Sequence, residues 1–268
     1  MSEPAAATSD LLQIEAYGLY CALMRSASSA NAGDPETELN LGGKLLYVGD
    51  LDAHGRAMVI AGNVSGSATL SATADSAVQK LAIRDGVVDF VVTSLDEALR
   101  ILKNEVRKRA TVAVCVGAAP SAVKSEMIER GVLPDLVFEG KHGEQCDAPD
   151  FGSGTREVQL TAPDDGLAFL TWQVALAPAR WMAKLDAIAL GYLSSDWRAR
   201  RWIRLSPRYC GRSAQARRAF YCALDSAKEI ISGFAAHVQD GEIDTEVLAS
   251  LLIGDERQAF RWSPVRSA

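Results

Sequence analysis

The sequence predicts an α/β protein: a mostly parallel sheet flanked by helices, followed by a mainly helical C-terminal region. Three observations predict it. Short apolar runs recur at residues 44–48, 67–72, 87–92, 111–116 and 136–138. Segments of helical character alternate with them over short connections, the pattern of parallel strands joined by crossover helices. From residue 167 onward the chain reads as helical, and that region holds all five tryptophans.

Each element has a local reason. Residues 8–28 read as a helix, with Asp10 as N-cap and Leu12, Ala16, Leu19, Leu23 and Ala27 at helical spacing. Residues 28–37 are small, polar and contain Pro and Gly, so a linker is expected. Residues 44–48 are a buried parallel strand by their apolar run. Helix 56–61, strand 67–72 and helix 75–84 follow. Strand 87–92 is the strongest, with Thr93 or Ser94 able to cap the next helix. That helix, residues 95–108, places Leu95, Ala98, Leu99 and Leu102 on one face. Asp96 and Glu97 lie at its positive end, and Arg107, Lys108 and Arg109 at its negative end. Strand 111–116, helix 121–130 with Gly131 as C′ residue, and strand 136–138 complete the set. Residues 140–154 are rich in Gly and Asp and read as a long exposed loop. Residues 157–160 add an edge strand. The expected organisation is an N-terminal helix and linker (1–37), a strand–helix domain (38–140), a loop (141–165) and a helical C-terminal region (166–268).

Composition narrows the function classes. Apolar residues make up 48% of the 268 and charged residues 23%, ordinary for a globular protein able to bury a core. The formal net charge of -6 disfavours a wholesale nucleic-acid binder. No apolar run reaches about eighteen residues, so no membrane span is expected. The N-terminus lacks a basic stretch followed by an apolar one, so no signal peptide is expected. Cys21, Cys115, Cys146, Cys210 and Cys222 are odd in number and scattered, without a CxxC pair. Free thiols in a reducing cytoplasm fit this better than disulfides or a zinc site.

The run Arg130-Gly131-Val132-Leu133-Pro134-Asp135, with Gly86-Val87-Val88-Asp89 and Ser94-Leu95-Asp96-Glu97-Ala98-Leu99 upstream, resembles the nicotinamide-binding domain of the urocanase (urocanate hydratase) family. The resemblance covers residues 41–138 and implies a Rossmann-like fold. It also implies tightly held NAD acting as an electrophile toward an imidazole substrate. By position, the resemblance places Gly49, Asp50, His54, Gly55 and Arg56 at the phosphate-binding turn, Thr73 at the ribose-binding position and Gly117 after the fourth strand. These positions depart from the family in residue type. Asp50 and Asp52 stand where phosphates would lie, and Arg56 is expected to offset part of that charge. Thr73 replaces a carboxylate and cannot take both ribose hydroxyls. Val78 stands where the family has a basic residue, and the Asn of its Asn-Ala pair is absent from Gly117-Ala118-Ala119-Pro120. Nothing at residues 140–144 matches the family's next segment. The family's catalytic-cysteine motif has no counterpart; Tyr209-Cys210-Gly211 is not it. No cofactor is therefore expected, although the resemblance itself implies NAD.

Other constellations remain. Asp50-x-Asp52-x-His54 can bind a metal or run acid/base chemistry, or be a solvated loop; no metal is expected. His142 and Cys146 supply two ligands, too few for zinc. His237 ends a helix and is expected to meet its carbonyls. Cys115 reads as a buried small hydrophobe. Cys210 is flanked by Arg204, Arg208 and Arg212, which favour thiolate if close. Arginines at 200, 201, 204, 208 and 212 interleave with aromatics from Trp197 to Tyr209. They suit an anionic ligand or RNA, or an amphipathic helix with Trp202 and Ile203 turned inward.

The reading that unites these features is a urocanase-derived binding or accessory module for a small anionic ligand or a protein partner. The alternatives are a NAD-dependent lyase that needs a partner chain for the missing core, and an RNA-interacting protein. A homo-oligomer is compatible with all three.

Overall fold

The computed structural model describes residues 3–28, 40–138, 151–159, 166–211 and 215–264, with side chains of 3–10 and 28 left aside. The chain divides into two compact units, Gly18–Thr161 and Met1–Tyr17 with Ala162–Ala268. Helix α1 (Glu3–Ser28) contributes to both. It begins ahead of Asp10, which is therefore not its cap.

The unit Gly18–Thr161 holds β1 (Leu45–Asp50), α2 (Ala53–Ser65), β2 (Ala68–Ala72), α3 (Ser76–Arg84), β3 (Phe90–Val92), α4 (Leu95–Lys108), β4 (Val112–Val116), α5 (Pro120–Glu129), β5 (Leu136–Phe138) and β6 (Arg156–Val158). The strands form one sheet in the order β3-β4-β2-β1-β5-β6. Every pairing in it is parallel. This is the expected α/β sheet. β2 and β4 are buried along their whole length, which is why they read as continuous apolar runs. The core packs Leu95, Ala98, Leu99 and Leu102 of α4 against Leu70, Val114 and Val116.

The motif residues work on this scaffold. Asp135 accepts from the Leu45 amide at 2.8 Å and pairs with Lys44 at 2.9 Å, fixing where β1 starts beside β5. Asp89 accepts from the Ala113 amide at 2.9 Å and fixes β4. Gly131 takes φ +65 at the end of α5, letting the Val132 amide bond back to Met127. Ser94 caps α4 through the Glu97 amide, and Glu97 reaches back to the Thr93 amide at 3.0 Å. Ser94→Ala is expected to lower stability by about 1 kcal/mol, read from the urea unfolding midpoint.

The strand expected at 87–92 is shorter, Phe90–Val92; Val87 and Val88 are buried without joining the ladder. The helix expected at 56–61 extends to Ala53–Ser65. Phe151, placed by sequence in an exposed loop, is buried against Tyr47 with ring centroids 5.2 Å apart. The linker 28–37 and most of the loop 140–154 lie outside the described residues.

The second unit contains β7 (Leu167–Val174), α6 (Pro178–Tyr192), α7 (Trp197–Tyr209), β8 (Arg217–Ala223), α8 (Leu224–Gln239), β9 (Val247–Ile253) and β10 (Glu256–Trp262). Its helices were expected. The four-stranded antiparallel sheet, in the order β10-β9-β7-β8, was not. The sequence suggests helix from residue 167 onward, whereas residues Leu167–Val174 form a strand. Their apolar run lacks a period that separates helix from strand, and the cross-strand partners that settle it lie far along the chain. Trp172 is the centre of this core, edge-on to Phe220 and Phe234. The outer carbonyls of β8 are taken by side chains: Tyr17 donates to Tyr221 O at 2.8 Å and Trp202 to Ala219 O at 3.1 Å. Such bonds blunt a sheet edge. Among the described residues, no helix is long and apolar enough to cross a membrane.

Candidate functional site

Chain direction reverses beside β1: α2 leads to β2 on one side, while β5 lies on the other. In open parallel sheets, ligands bind outside the carboxyl ends of the strands at such a switch point. Five of the positions singled out by sequence, Gly49 to Arg56, meet here.

A register shift between Tyr47 and Gly49, with Gly49 at φ +81, turns the chain out of β1. Asp50 then accepts from the Leu51 amide at 2.7 Å, and Asp52 accepts from the Gly55 amide at 2.7 Å as N-cap of α2. Asp52 therefore caps the positive end of α2, while Asp50, two residues ahead of it, bonds the amide of the residue that follows it. Asp52→Ala is expected to cost about 1 kcal/mol in urea unfolding, since it removes the cap. Gly55 is a site of close approach. A Cβ there would lie 1.8 Å from the Asp50 carbonyl oxygen.

Arg56 does not offset these carboxylates as expected. Its side chain turns to Asp85 at 3.0 Å, with both groups largely buried. Asp85 is the C-cap residue of α3. His54 is half-buried in the first turn of α2 and engaged within the protein. Among the described residues, no group of three or more His, Cys, Asp or Glu could hold a metal ion.

Thr73 follows β2 directly and is buried. Its amide donates to Val116 O, and its hydroxyl accepts from the Asp75 amide at 3.4 Å. Gln79, which the sequence reading missed, donates to Thr73 O at 2.8 Å. The same amide nitrogen lies 3.3 Å from where a Gly117 Cβ would be. Gln79 thus sits between the ends of β2 and β4. Its only signal in sequence was a polar residue one turn into a helix that follows a strand.

The arginines of α7 lie in the other unit. Trp202 and Ile203 are buried, the inward face expected of an amphipathic helix. Arg200 donates to Leu190 O at 2.8 Å, and Arg208 lies over the Tyr209 ring at 5.3 Å. Arg201 and Arg204 are also engaged. Arg212, His142 and Cys146 lie outside the described residues. Cys210 is buried at the C-cap of α7. Burial pushes the Cys115 thiol up, and pushes that of Cys222 up to about 12. Neither is a thiolate near neutrality. His237 pairs its ring with the Glu242 carboxylate at 2.7 Å instead of with helix carbonyls.

The parallel sheet and its motif residues have a counterpart among known families. Residues 25–144 match the urocanase Rossmann-like domain. The match is to a segment of the chain and contains the whole stretch, 41–138, on which the resemblance was read. Within this urocanase-like segment, Gly131, Asp135 and Asp89 position strands and helix ends. Gly49 to Arg56, Thr73 and Gly117 lie at or just beyond the carboxyl ends of β1, β2 and β4.

Proposed function

We propose that this chain is a urocanase-related α/β protein that has lost urocanate hydratase chemistry and serves as a binding or accessory module. The observation that carries the reading is the hydrogen bonding of Asp50 and Asp52 to the Leu51 and Gly55 amides. Backbone amides at this turn are what a pyrophosphate requires, and here carboxylates of the chain hold two of them, those of Leu51 and Gly55. A dinucleotide entering the turn would displace or confront two negative charges, each worth about 0.3–1 kcal/mol near a helix terminus. The ribose end is no better suited. Thr73 presents a single hydroxyl, already bonded, with Gln79 beside it. The residues present do not fit NAD.

A protein partner is favoured over a small anion, because the α7 arginines that would receive the anion have internal contacts. Fold alone does not decide this. The test is native mass spectrometry of the purified chain, with a 260 nm absorbance scan of the supernatant after heat denaturation. The expected result is no released dinucleotide and no thermal shift on adding NAD. Released dinucleotide overturns the reading and directs attention to urocanate hydration with a partner chain.

A further inference from the structure

β10 is an edge of the antiparallel sheet, and it is long: all seven of its residues pair with β9, without a bulge or a proline. The opposite edge, β8, is blunted by Tyr17 and Trp202. Along β10, Glu256 to Ala259 and Arg261 are exposed, and Phe260 and Trp262 are half-buried. Among the described residues, no hydrogen bond reaches its backbone from outside the ladder with β9. The two-residue hairpin at Gly254 and Asp255 sets which amides point outward. Its flanking pair, Ile253 and Glu256, exchanges ladder bonds, so alternate residues from Glu256 onward do the same. The N–H and C=O groups of Arg257, Ala259 and Arg261 therefore point away from β9.

The side chains of those three residues share one face of the strand, with a small alanine between two arginines. Arg257 donates to Ser250 Oγ at 3.3 Å and meets no carboxylate among the described residues. Arg261 gives one donor to Glu246 at 2.7 Å and keeps 69% of its side chain exposed. The other face carries Phe260 and Trp262, stacked with ring centroids 5.8 Å apart. This pattern decides the occupant. A second copy laid antiparallel over the full strand would set Arg257 against Arg261 at both ends, and like charges directly opposed destabilise a pair. Shifting the register to separate them shortens the seam. The same two arginines attract an extended segment whose carboxylates stand four residues apart, with apolar side chains on its other face to meet Phe260 and Trp262. The charges that keep this edge from pairing with itself thus select such a partner.

We propose that β10 is the docking edge for a protein partner: an acidic, extended segment that adds antiparallel to the sheet with its carboxylates opposite Arg257 and Arg261. This rests on the reading of the chain as a module for a protein partner. The test titrates the full chain into a fluorescently labelled peptide, acetyl-Val-Glu-Val-Thr-Thr-Glu-Thr, and follows anisotropy. The control peptide has Lys in place of both Glu. The wild type is expected to bind the acidic peptide at least about tenfold more tightly than the lysine one. Arg257→Glu combined with Arg261→Glu should reverse that preference. Ala259→Pro should abolish binding and leave the ladder with β9 intact, because the N–H it removes points outward. Circular dichroism confirms that the variants remain folded. A wild type that binds neither peptide up to about 1 mM overturns the proposal, as does equal binding of the two. So does a preference unmoved by the charge reversals, or an Ala259→Pro chain that binds as the wild type does. Self-association of the wild type, seen by sedimentation and abolished by Ala259→Pro, would overturn it in favour of a second copy. Released dinucleotide would sink the functional reading without touching these titrations, so the two failures are distinguishable.

Discussion

Gly55→Ala is expected to destabilise the protein by at least about 3 kcal/mol, read as a fall in the urea midpoint or as loss of soluble protein. The added Cβ would lie 1.8 Å from the Asp50 oxygen and 2.9 Å from its carbonyl carbon. Both are backbone atoms of β1, where Asp50 pairs with Ala72 of β2, so they cannot recede without opening the ladder. Nor can α2 move out, because Ala57 to Val64 are buried along it. Gly49→Ala is the control. Gly49 has φ +81 but open space around its missing Cβ, so alanine there costs only the conformational strain, about 1–2 kcal/mol. A Gly55→Ala protein as stable as Gly49→Ala would sink this account of the turn. The larger effect at Gly55 would mean that its part is to let helix and strand approach, a need that persists whether or not phosphate binds there.

That difference explains what could be read from the chain. Position, period and charge are local, so the bounds of α4 and its four-residue apolar stripe were legible, while its cap was narrowed to Thr93 or Ser94 and the structure selects Ser94. Asp135 and Asp89 were legible as motif members, but their work, holding the Leu45 and Ala113 amides, depends on strands adjacent only in space. The candidate site was harder. The acids at Asp50 and Asp52 were visible. That Asp50 would bond the Leu51 amide and Asp52 cap α2 through the Gly55 amide, and that Arg56 would turn to Asp85 about thirty residues on, required the packed turn. Gln79 had no sequence signal beyond its position. The antiparallel sheet of the second unit failed for a related reason. Leu167 to Val174 is buried at nearly every position, which removes the alternation that marks a strand.

The second unit offers the other large effect. Asp186 of α6 and Arg218 of β8 form an ion pair of 2.7 Å, reinforced by a 3.2 Å bond from Arg218 Nε, with side chains only 15% and 5% exposed. Asp186→Ala is expected to cost about 3–5 kcal/mol, because it breaks a buried ion pair held by two hydrogen bonds. Arg218 also donates to Arg217 O at 2.9 Å, a neutral acceptor. Replacing both, as Asp186→Leu with Arg218→Met, should recover most of that loss or exceed the wild type, since two buried charges vanish together. The titration of Asp186 points the same way. Burial pushes its carboxyl above the usual range although Arg218 and Trp172 pull it down. The folded state then holds the proton more tightly than the unfolded chain does. This contribution to stability is fully present below the unfolded carboxylate value and is lost as pH rises through the folded one. Urea unfolding across that acidic window should show this loss with rising pH in the wild type but not in the double variant. Equal stability of single and double variants would mean that the charge pair, and not the burial of its members, dominates at this site.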